Sequence, residues 1–204
     1  MQATDAAQFK TAWEHPPTRA AWMRTALFRC AALLVWLAAL PAWLYAVLLT
    51  PVWTLVVWMP VFFVVLYQAM LAAGGVLPLL GLRRVLRHYP WQVHPGGAAE
   101  PVKGGGTRFV LPDPEHPGKT VGLRHGGYLG GGRTFWVRRV KAGGVTEVWF
   151  AGDPRFIGVV AAPGPARLIR CAQREAVDDR MAARRQGVSA EAAERARAAG
   201  ARVG

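Results

Sequence analysis

The sequence has no charged side chain and no histidine between Arg29 and Arg83, a stretch of 53 residues. A helix that crosses a bilayer needs about 20 apolar residues, so the stretch is long enough for two crossings joined by a tight turn. The polar arm before it is 29 residues long, and the first apolar run passes directly into a second one. We therefore expect an α-helical membrane hairpin and not a cleaved signal peptide.

The residues that most enzymes and metal sites use are scarce. Ser189 is the only serine, so a G-x-S-x-G nucleophile motif is absent, and the five histidines show no zinc-type spacing. Two cysteines are too few for a disulfide framework, which is what we expect of a domain that faces the reducing cytoplasm. Residues 117–120 (PGKT) match only the end of a phosphate-binding loop, because Asp113 stands where a glycine is required. We predict no catalytic residue, no cofactor and no metal.

Positive charge is plentiful and flanks both ends of the apolar stretch. The formal net charge is +13, and the turn at residues 50–54 carries none of it. By the positive-inside rule both termini then face the cytoplasm of a multi-pass protein in the cell membrane. The absence of ionisable residues at membrane depth argues against a transporter or a channel. The flanking arginines are Arg19, Arg24, Arg29, Arg83, Arg84 and Arg87.

The two predicted spanning helices run from about residue 18 to 49 and from 52 to 73. Gly74-Gly75 and Pro78 mark the end of the second, and we interpret Pro41 and Pro60 as kinks. Small residues four apart let another helix approach closely, so we predict a packing face whose first partner is the second helix of the same chain. That face consists of Ala38, Ala42 and Ala46.

Residues 79–88 predict a short amphipathic segment next to the membrane, with leucines on one side and arginines on the other. Basic residues in this position are attracted to the anionic inner leaflet by about 1 kcal/mol each. The candidate lipid-headgroup contacts are Arg83, Arg84 and Arg87.

The two ends of the chain predict helices. Residues 4–14 form either a frayed terminus or an interfacial helix with Phe9 and Trp13 inserted into the membrane surface. Residues 173–204 predict two helical pieces with a thin apolar face, the second capped by Ser189, as a solvated and partly flexible tail.

Between them, short β-branched and aromatic runs alternate with glycine and proline turns, which predicts a small all-β domain, a barrel or a sandwich. The predicted organisation is an arm (1–17), the hairpin (18–82), a basic segment (83–90), the β domain (91–172) and the tail (173–204). The seven predicted strands cover residues 91–93, 107–111, 120–124, 134–140, 145–150, 156–161 and 167–171.

Two passages resemble a known group of proteins: Arg87-His88-Tyr89-Pro90-Trp91, and residues 147–164 (EVWFAGDPRFIGVVAAPG). Together with the hairpin they are similar to uncharacterised small two-span integral membrane proteins of actinobacteria. The resemblance covers roughly residues 20–171 and implies no active-site residue.

These patterns favour a non-enzymatic, membrane-anchored protein that presents a β interaction or scaffold domain at the cytoplasmic face. The closest variant is an accessory subunit of a membrane complex. Its partners would be anionic lipid, and a protein partner or a second copy of the chain. One alternative is an enzyme with a site around His125 and Asp153. Another is a nucleic-acid-binding tether, because basic residues straddle Phe135 and Trp136. Those basic residues are Arg133, Arg138, Arg139 and Lys141.

Overall fold

The computed structural model describes residues 9–102, 106–116, 118–125, 131–173 and 188–201. The chain divides into two compact units. One consists of Met1–Trp22 together with Leu80–Gly204 and is called the sheet unit; the other, Met23–Leu79, is called the helical unit.

Two long helices, α1 (Pro16–Leu48) and α2 (Leu55–His88), are joined by a short turn that includes a 3₁₀ segment, Val52–Thr54. Both are long and apolar enough to cross a membrane, with a mean hydropathy of 2.1 in their most apolar windows. In α1 none of the residues in the most apolar window is buried inside the chain, and in the second helix only 11% of that window is buried. Helices in the core of a soluble protein would be mostly buried, so burial inside the chain does not account for their composition.

Within the helical unit, the two helices contact each other through aromatic rings and through Arg29, whose guanidinium donates to the Gly75 carbonyl oxygen. The Trp43 ring lies 4.7 Å from the Phe62 ring, and its indole N–H donates to the carbonyl oxygen of Trp58 at 3.0 Å. Ala38 and Ala42 are exposed and Ala46 is half-buried. The small-residue face predicted from the sequence therefore remains open on α1.

The predicted end of the second helix is wrong. Gly74-Gly75 and Pro78 lie inside α2, which continues to His88. Relative to alanine, a glycine and a proline in a helix interior destabilise the helix by about 1 and 3 kcal/mol. The following turns, however, bury Leu82, Val85 and Leu86 in the sheet unit. That burial stabilises the helix beyond the break signals, and the predicted amphipathic segment is simply its last turns.

The predicted helix at residues 4–14 is also wrong where it can be compared. Residues 1–8 lie outside the described residues, and residues 9–15 form turns and bends. The Pro16-Pro17 pair begins α1 instead of ending a helix. Proline is well suited to the first turn of a helix, because its missing N–H would have no helical partner there.

The rest of the sheet unit is built on one antiparallel sheet of seven strands in the order β1-β5-β6-β7-β4-β3-β2. The strands are β1 (Gln92–Pro95), β2 (Ala99–Val102), β3 (Gly106–Pro112), β4 (Thr120–His125), β5 (Glu147–Gly152), β6 (Ile157–Ala162) and β7 (Ala166–Ala172). Two meanders, β2-β3-β4 and β5-β6-β7, are joined where Arg124 pairs with Ala172 and His125 with Cys171.

The sheet curls into a half-barrel because its two edge strands follow each other in the chain. In a flat sheet, six strand spacings of about 4.8 Å would separate the edges by about 29 Å. Pro95 ends β1 and Ala99 begins β2, so only four residue steps join them. Four steps reach at most about 14 Å. The short connection Gly96–Ala98 therefore requires a curved sheet, which agrees with the barrel alternative of the prediction and not with the sandwich.

The hollow of the half-barrel holds the main core. Helix α3 (Gly131–Lys141) packs against β2, β3 and β7, and Trp136 on it is 1% exposed, with its ring 5.2 Å from that of Phe109. The buried core residues are Phe109, Leu111, Leu123, Trp136, Val148, Phe150, Val160, Ala162, Ile169 and Cys171. One helix thus closes the open side of a sheet that is too curved to pack against a second sheet.

Two strand predictions differ from the structure. Residues 134–140, predicted as a strand, lie in α3, which places Trp136 and Val140 four residues apart on the face that packs into the core. Strand β2 (Ala99–Val102) was missed because it contains Pro101 and no β-branched run. It is an edge strand, where proline is tolerated.

The C-terminal helix α4 (Ala190–Ala198) begins as predicted. The Ser189 hydroxyl oxygen accepts from the Ala192 N–H at 3.3 Å. Most of this helix is exposed, as predicted, and its thin apolar face packs through Ala196, which is fully buried in a small cluster with Phe156. The first predicted piece of the tail, residues 174–187, lies outside the described residues.

Candidate functional site

Two tryptophans and two arginines form a stacked cluster in the sheet unit. We call Trp13, Trp22, Arg83 and Arg87 the tryptophan–arginine cluster. The two indole rings meet edge to face at 5.4 Å. The Arg83 guanidinium lies 5.2 Å from the Trp13 ring and 5.7 Å from the Trp22 ring, and that of Arg87 lies 5.6 Å from Trp13. Such contacts are favourable by about 0.5–2 kcal/mol each.

Backbone hydrogen bonds hold the first of these tryptophans in place. The N–H groups of Ala12 and Trp13 donate to the carbonyl oxygens of Tyr89 and Leu86, both at 2.8 Å. The turn segment before α1 is thereby fixed to the last turn of α2. Trp13 lies against two arginines, and the expectation that Phe9 and Trp13 insert into a membrane surface stays a prediction.

A buried polar cluster lies next to this attachment. The Trp91 indole N–H donates to the Thr18 hydroxyl oxygen at 3.0 Å, and Nδ1 of His15 lies 3.0 Å from the same oxygen. The rings of Trp91 and His15 both contact Trp149 of β5, at 5.9 and 6.0 Å. The outer face of β5 is therefore covered by the beginning of α1 and by the chain that follows α2.

The three candidate lipid contacts are not equivalent. Arg83 is half-buried by the tryptophans, whereas Arg84 and Arg87 are exposed. The aliphatic part of Arg84 lies beside Gly200, which follows α4. Arg83 and Arg87 thus share one aromatic surface, and Arg84 lies against the C-terminal segment.

A second cluster surrounds Arg155, whose side chain is 2% exposed. Its guanidinium makes two hydrogen bonds to the Asp153 carboxylate, at 3.0 and 2.8 Å. A third carboxylate oxygen, from Glu115, lies 2.7 Å from its Nη1. Asp113 is more distant, at 3.9 Å. The guanidinium is therefore bound on two sides by carboxylates from separate loops.

This cluster connects the sheet to the C-terminal helix. The Glu115 carboxylate also accepts from the backbone N–H of Ser189 at 3.3 Å, directly before α4. The hydrogen bond from Arg155, and then those from Ser189, lower the pKa of Glu115 to about 2. The hydrogen bonds that Arg155 donates to Asp153, and then its interaction with Glu115, raise the pKa of Arg155 despite its burial. Both shifts favour the charged forms of Glu115 and Arg155.

The geometry around Asp153 is that of a structural turn. The Phe156 N–H donates to the Asp153 carbonyl oxygen at 3.0 Å, the hydrogen bond of a β-turn with Pro154 at its second position, as predicted. The Asp153 carboxylate also accepts from the Arg155 N–H at 2.9 Å. Its oxygens are thus engaged in holding the turn, which leaves little for acid–base chemistry. The side chain of His125, the other residue of the enzyme alternative, lies outside the described residues.

The two free cysteines differ in burial, because Cys171 is buried and Cys30 is exposed. Burial raises the pKa of the Cys171 thiol, and this residue is fully buried in the core. Cys30 is a free cysteine on α1. Among the residues that the structure describes, no group of three or more histidine, cysteine or acidic side chains could hold a metal ion.

A third feature is an open depression of about 460 Å³ between α3 and the start of β7. We call it the arginine groove; its lining consists of Thr134, Phe135, Arg138, Arg139 and Arg167. The sequence drew attention to three of the α3 residues, because they lie close together in the chain. It missed Arg167, which the sheet brings to the same place from a distant strand.

No family model, no curated protein and no solved structure matches this chain. A functional proposal has to be built from the chain's own residues.

Proposed function

We propose that this chain is a membrane-anchored, non-enzymatic protein. Its two helices would form a hairpin across the cell membrane and its half-barrel would be an interaction or scaffold domain at the cytoplasmic face. The observation that carries the proposal is the surface of the helical unit. Large apolar side chains such as Phe28, Leu48 and Val56 are 77%, 74% and 80% exposed along both helices. Water would disfavour such a surface, whereas lipid chains would cover it without cost.

The tryptophan–arginine cluster supports the same proposal. Trp22 precedes the helical unit directly, and Arg83 follows it closely. Tryptophan and arginine are the residues that favour the interface between lipid chains and water. With arginines at both ends of the apolar stretch, the positive-inside rule places both termini in the cytoplasm. Anionic headgroups of the inner leaflet would then contact Arg83, Arg84 and Arg87.

The open face on α1 supports an accessory role in a larger membrane complex. Ala38 and Ala42 are exposed, so a helix of another protein or of a second copy could approach them closely.

An enzymatic function remains the alternative, and the engagement of Asp153 by Arg155 argues against it. A nucleic-acid tether is the other alternative, and the exposed arginines of α3 favour it.

Cysteine labelling in intact cells tests the topology. In a background without Cys30 and Cys171, we introduce Val52→Cys in the turn, Lys10→Cys in the arm and Arg197→Cys on α4. All three positions are exposed. An impermeant maleimide should label the cysteine at 52 from outside and those at 10 and 197 only after the membrane is opened. Labelling of either terminal position from outside contradicts this topology.

Binding to vesicles tests the lipid partner. The full chain in neutral nanodiscs should associate with vesicles that contain anionic lipid, and 0.5 M salt should release it, because the Debye length falls well below 8 Å. Reversing the charge of Arg83, Arg84 and Arg87 should weaken binding more than reversing Arg184 and Arg185 in the tail. A dominant effect of the tail arginines would move the lipid-facing surface away from α2.

A further inference from the structure

The arginine groove brings three arginine residues to one place on the sheet unit. Arg138 and Arg139 lie on exposed positions of α3, and Arg167 is exposed near the start of β7. The floor between them is the half-buried ring of Phe135. The groove is within the size range of small-ligand sites, which is about 300–1,000 Å³.

The guanidinium groups are held by the aromatic floor. Those of Arg139 and Arg167 lie 5.7 Å from the centre of the Phe135 ring. The Arg139 Nε–H donates to the Gly144 carbonyl oxygen at 2.9 Å, which fixes this side chain at the end of α3 and leaves its terminal nitrogens available. Two of the three cations are thus pre-positioned before any ligand arrives, which lowers the cost of ordering them on binding.

Arg167 reaches the groove through an unfavourable backbone conformation. Its φ is +56°, and it is the one residue other than glycine with a positive φ in the part of the chain that the structure describes. The left-handed conformation costs a residue with a side chain about 1–2 kcal/mol. The pairing of β6 with β7 also shifts register between Val160 and Ala162, and such irregularities re-aim neighbouring side chains. Strain of this kind concentrates at binding sites.

The three cations have no acidic counterpart within the described ranges. Every ion pair found there involves His116, Arg155 or Arg195, and none involves a groove arginine. Three unpaired guanidinium groups around one depression repel each other, whereas Arg155 in the same unit is paired with carboxylates. A multiply charged anion would relieve that repulsion and accept paired hydrogen bonds from the planar forks.

We propose that the arginine groove binds a phosphate monoester group. Phosphate carries a charge of about −1.5 to −2 near neutral pH and has three strong acceptor oxygens, which suits a groove lined by three arginines better than a single carboxylate does. The same group can be carried by a small soluble molecule or by a lipid headgroup such as that of phosphatidic acid. This site belongs to the sheet unit and does not depend on the proposed membrane anchor.

Calorimetric titration of the full chain in neutral phosphatidylcholine nanodiscs tests the site, with inorganic phosphate and pyrophosphate as probes and acetate as the comparison at equal ionic strength. We expect saturable binding of the phosphate probes. Arg139→Gln and Arg167→Gly should each weaken it about tenfold or more, because each removes charged hydrogen bonds. Arg124→Gln removes the same charge from an exposed position outside the groove and should leave binding unchanged.

Arg167→Gly separates a binding role from a structural one. Glycine adopts a positive φ freely, so this variant should melt at the same temperature as the wild type or higher while it loses phosphate affinity. A lower melting temperature with unchanged affinity would show that Arg167 serves only the fold and would overturn the proposal.

A second arm identifies the source of the phosphate. If only vesicles with phosphatidic acid are bound, and the two groove variants lose that binding, the proposal holds with lipid as the source. Binding of neither soluble phosphates nor phosphatidic acid overturns it. Equal affinity of all variants for the phosphate probes, or binding of long RNA alone, also overturns the proposal.

Discussion

The two units of this chain use apolar residues in opposite ways. The helical unit exposes Phe28 at 77%, whereas the sheet unit buries Phe150 completely, and every residue of β6 is buried. The same side-chain chemistry therefore has two different surroundings within one chain. The comparison shows that the sheet unit carries its own solvent-excluding core, whereas the helical unit leaves many of its large apolar side chains exposed.

The largest expected difference between the units comes from truncating a phenylalanine in each. Phe150→Ala should destabilise the sheet unit by about 3–5 kcal/mol, because it leaves a cavity in a fully buried core. Phe28→Ala should cost less than about 1 kcal/mol, since the lost contacts are with lipid or detergent chains. Denaturation of the full chain in micelles, followed by tryptophan fluorescence, measures both. An equally large effect at Phe28 would break the comparison and indicate a protein partner on that helix.

A similarly large difference in stability is expected between substitutions of two arginines within the sheet unit. Arg155→Met should destabilise the sheet unit by about 3–5 kcal/mol, because it leaves the buried carboxylates of Asp153 and Asp113 without the guanidinium between them. The matched change Arg195→Met breaks an exposed pair with Glu191, and its cost should stay within about 1 kcal/mol. The same denaturation experiment distinguishes them. A mild effect at Arg155 would mean that the cluster relaxes by admitting water.

The smallest expected effect is a pH dependence at Glu115. Its pKa is lowered in the folded chain from an ordinary value near 4.5 to about 2, so its contribution to stability is present above the unfolded value. That contribution should be lost as the pH falls from about 4.5 to 2. The stability difference between wild type and Glu115→Gln should be constant from pH 7 to about 5 and then shrink. A difference that changes between pH 7 and 5 would assign the titration to another group.

Much of the fold was predictable because local patterns agree with the final structure. The uncharged stretch predicted two long apolar helices, and six of the strand predictions lie on observed strands. The failures occurred where long-range packing outweighed local signals. Helix α2 continues through Gly74-Gly75 and Pro78 because its next turns are buried. Residues 134–140 form a helix because Trp136 fills the half-barrel.

The candidate sites were predictable only in part, for a related reason. Arg83, Arg84 and Arg87 were identified because they are neighbours in the chain, but the sequence gives no sign that Trp13 and Trp22 stack on two of them. Arg155 drew no attention as an isolated residue in a turn, although it joins two loops and indirectly the C-terminal helix.

The sequence by itself determined that this chain contains two helices long and apolar enough to span a membrane, since composition over 53 residues needs no tertiary context. It also determined most strand positions, because alternation and turn residues act locally. Only the tertiary structure decided that the sheet curls, that one predicted strand is the helix inside it, and that Arg167 meets Arg138 and Arg139 over Phe135. Those features depend on contacts between residues far apart in the chain, and local sequence patterns do not encode such distances.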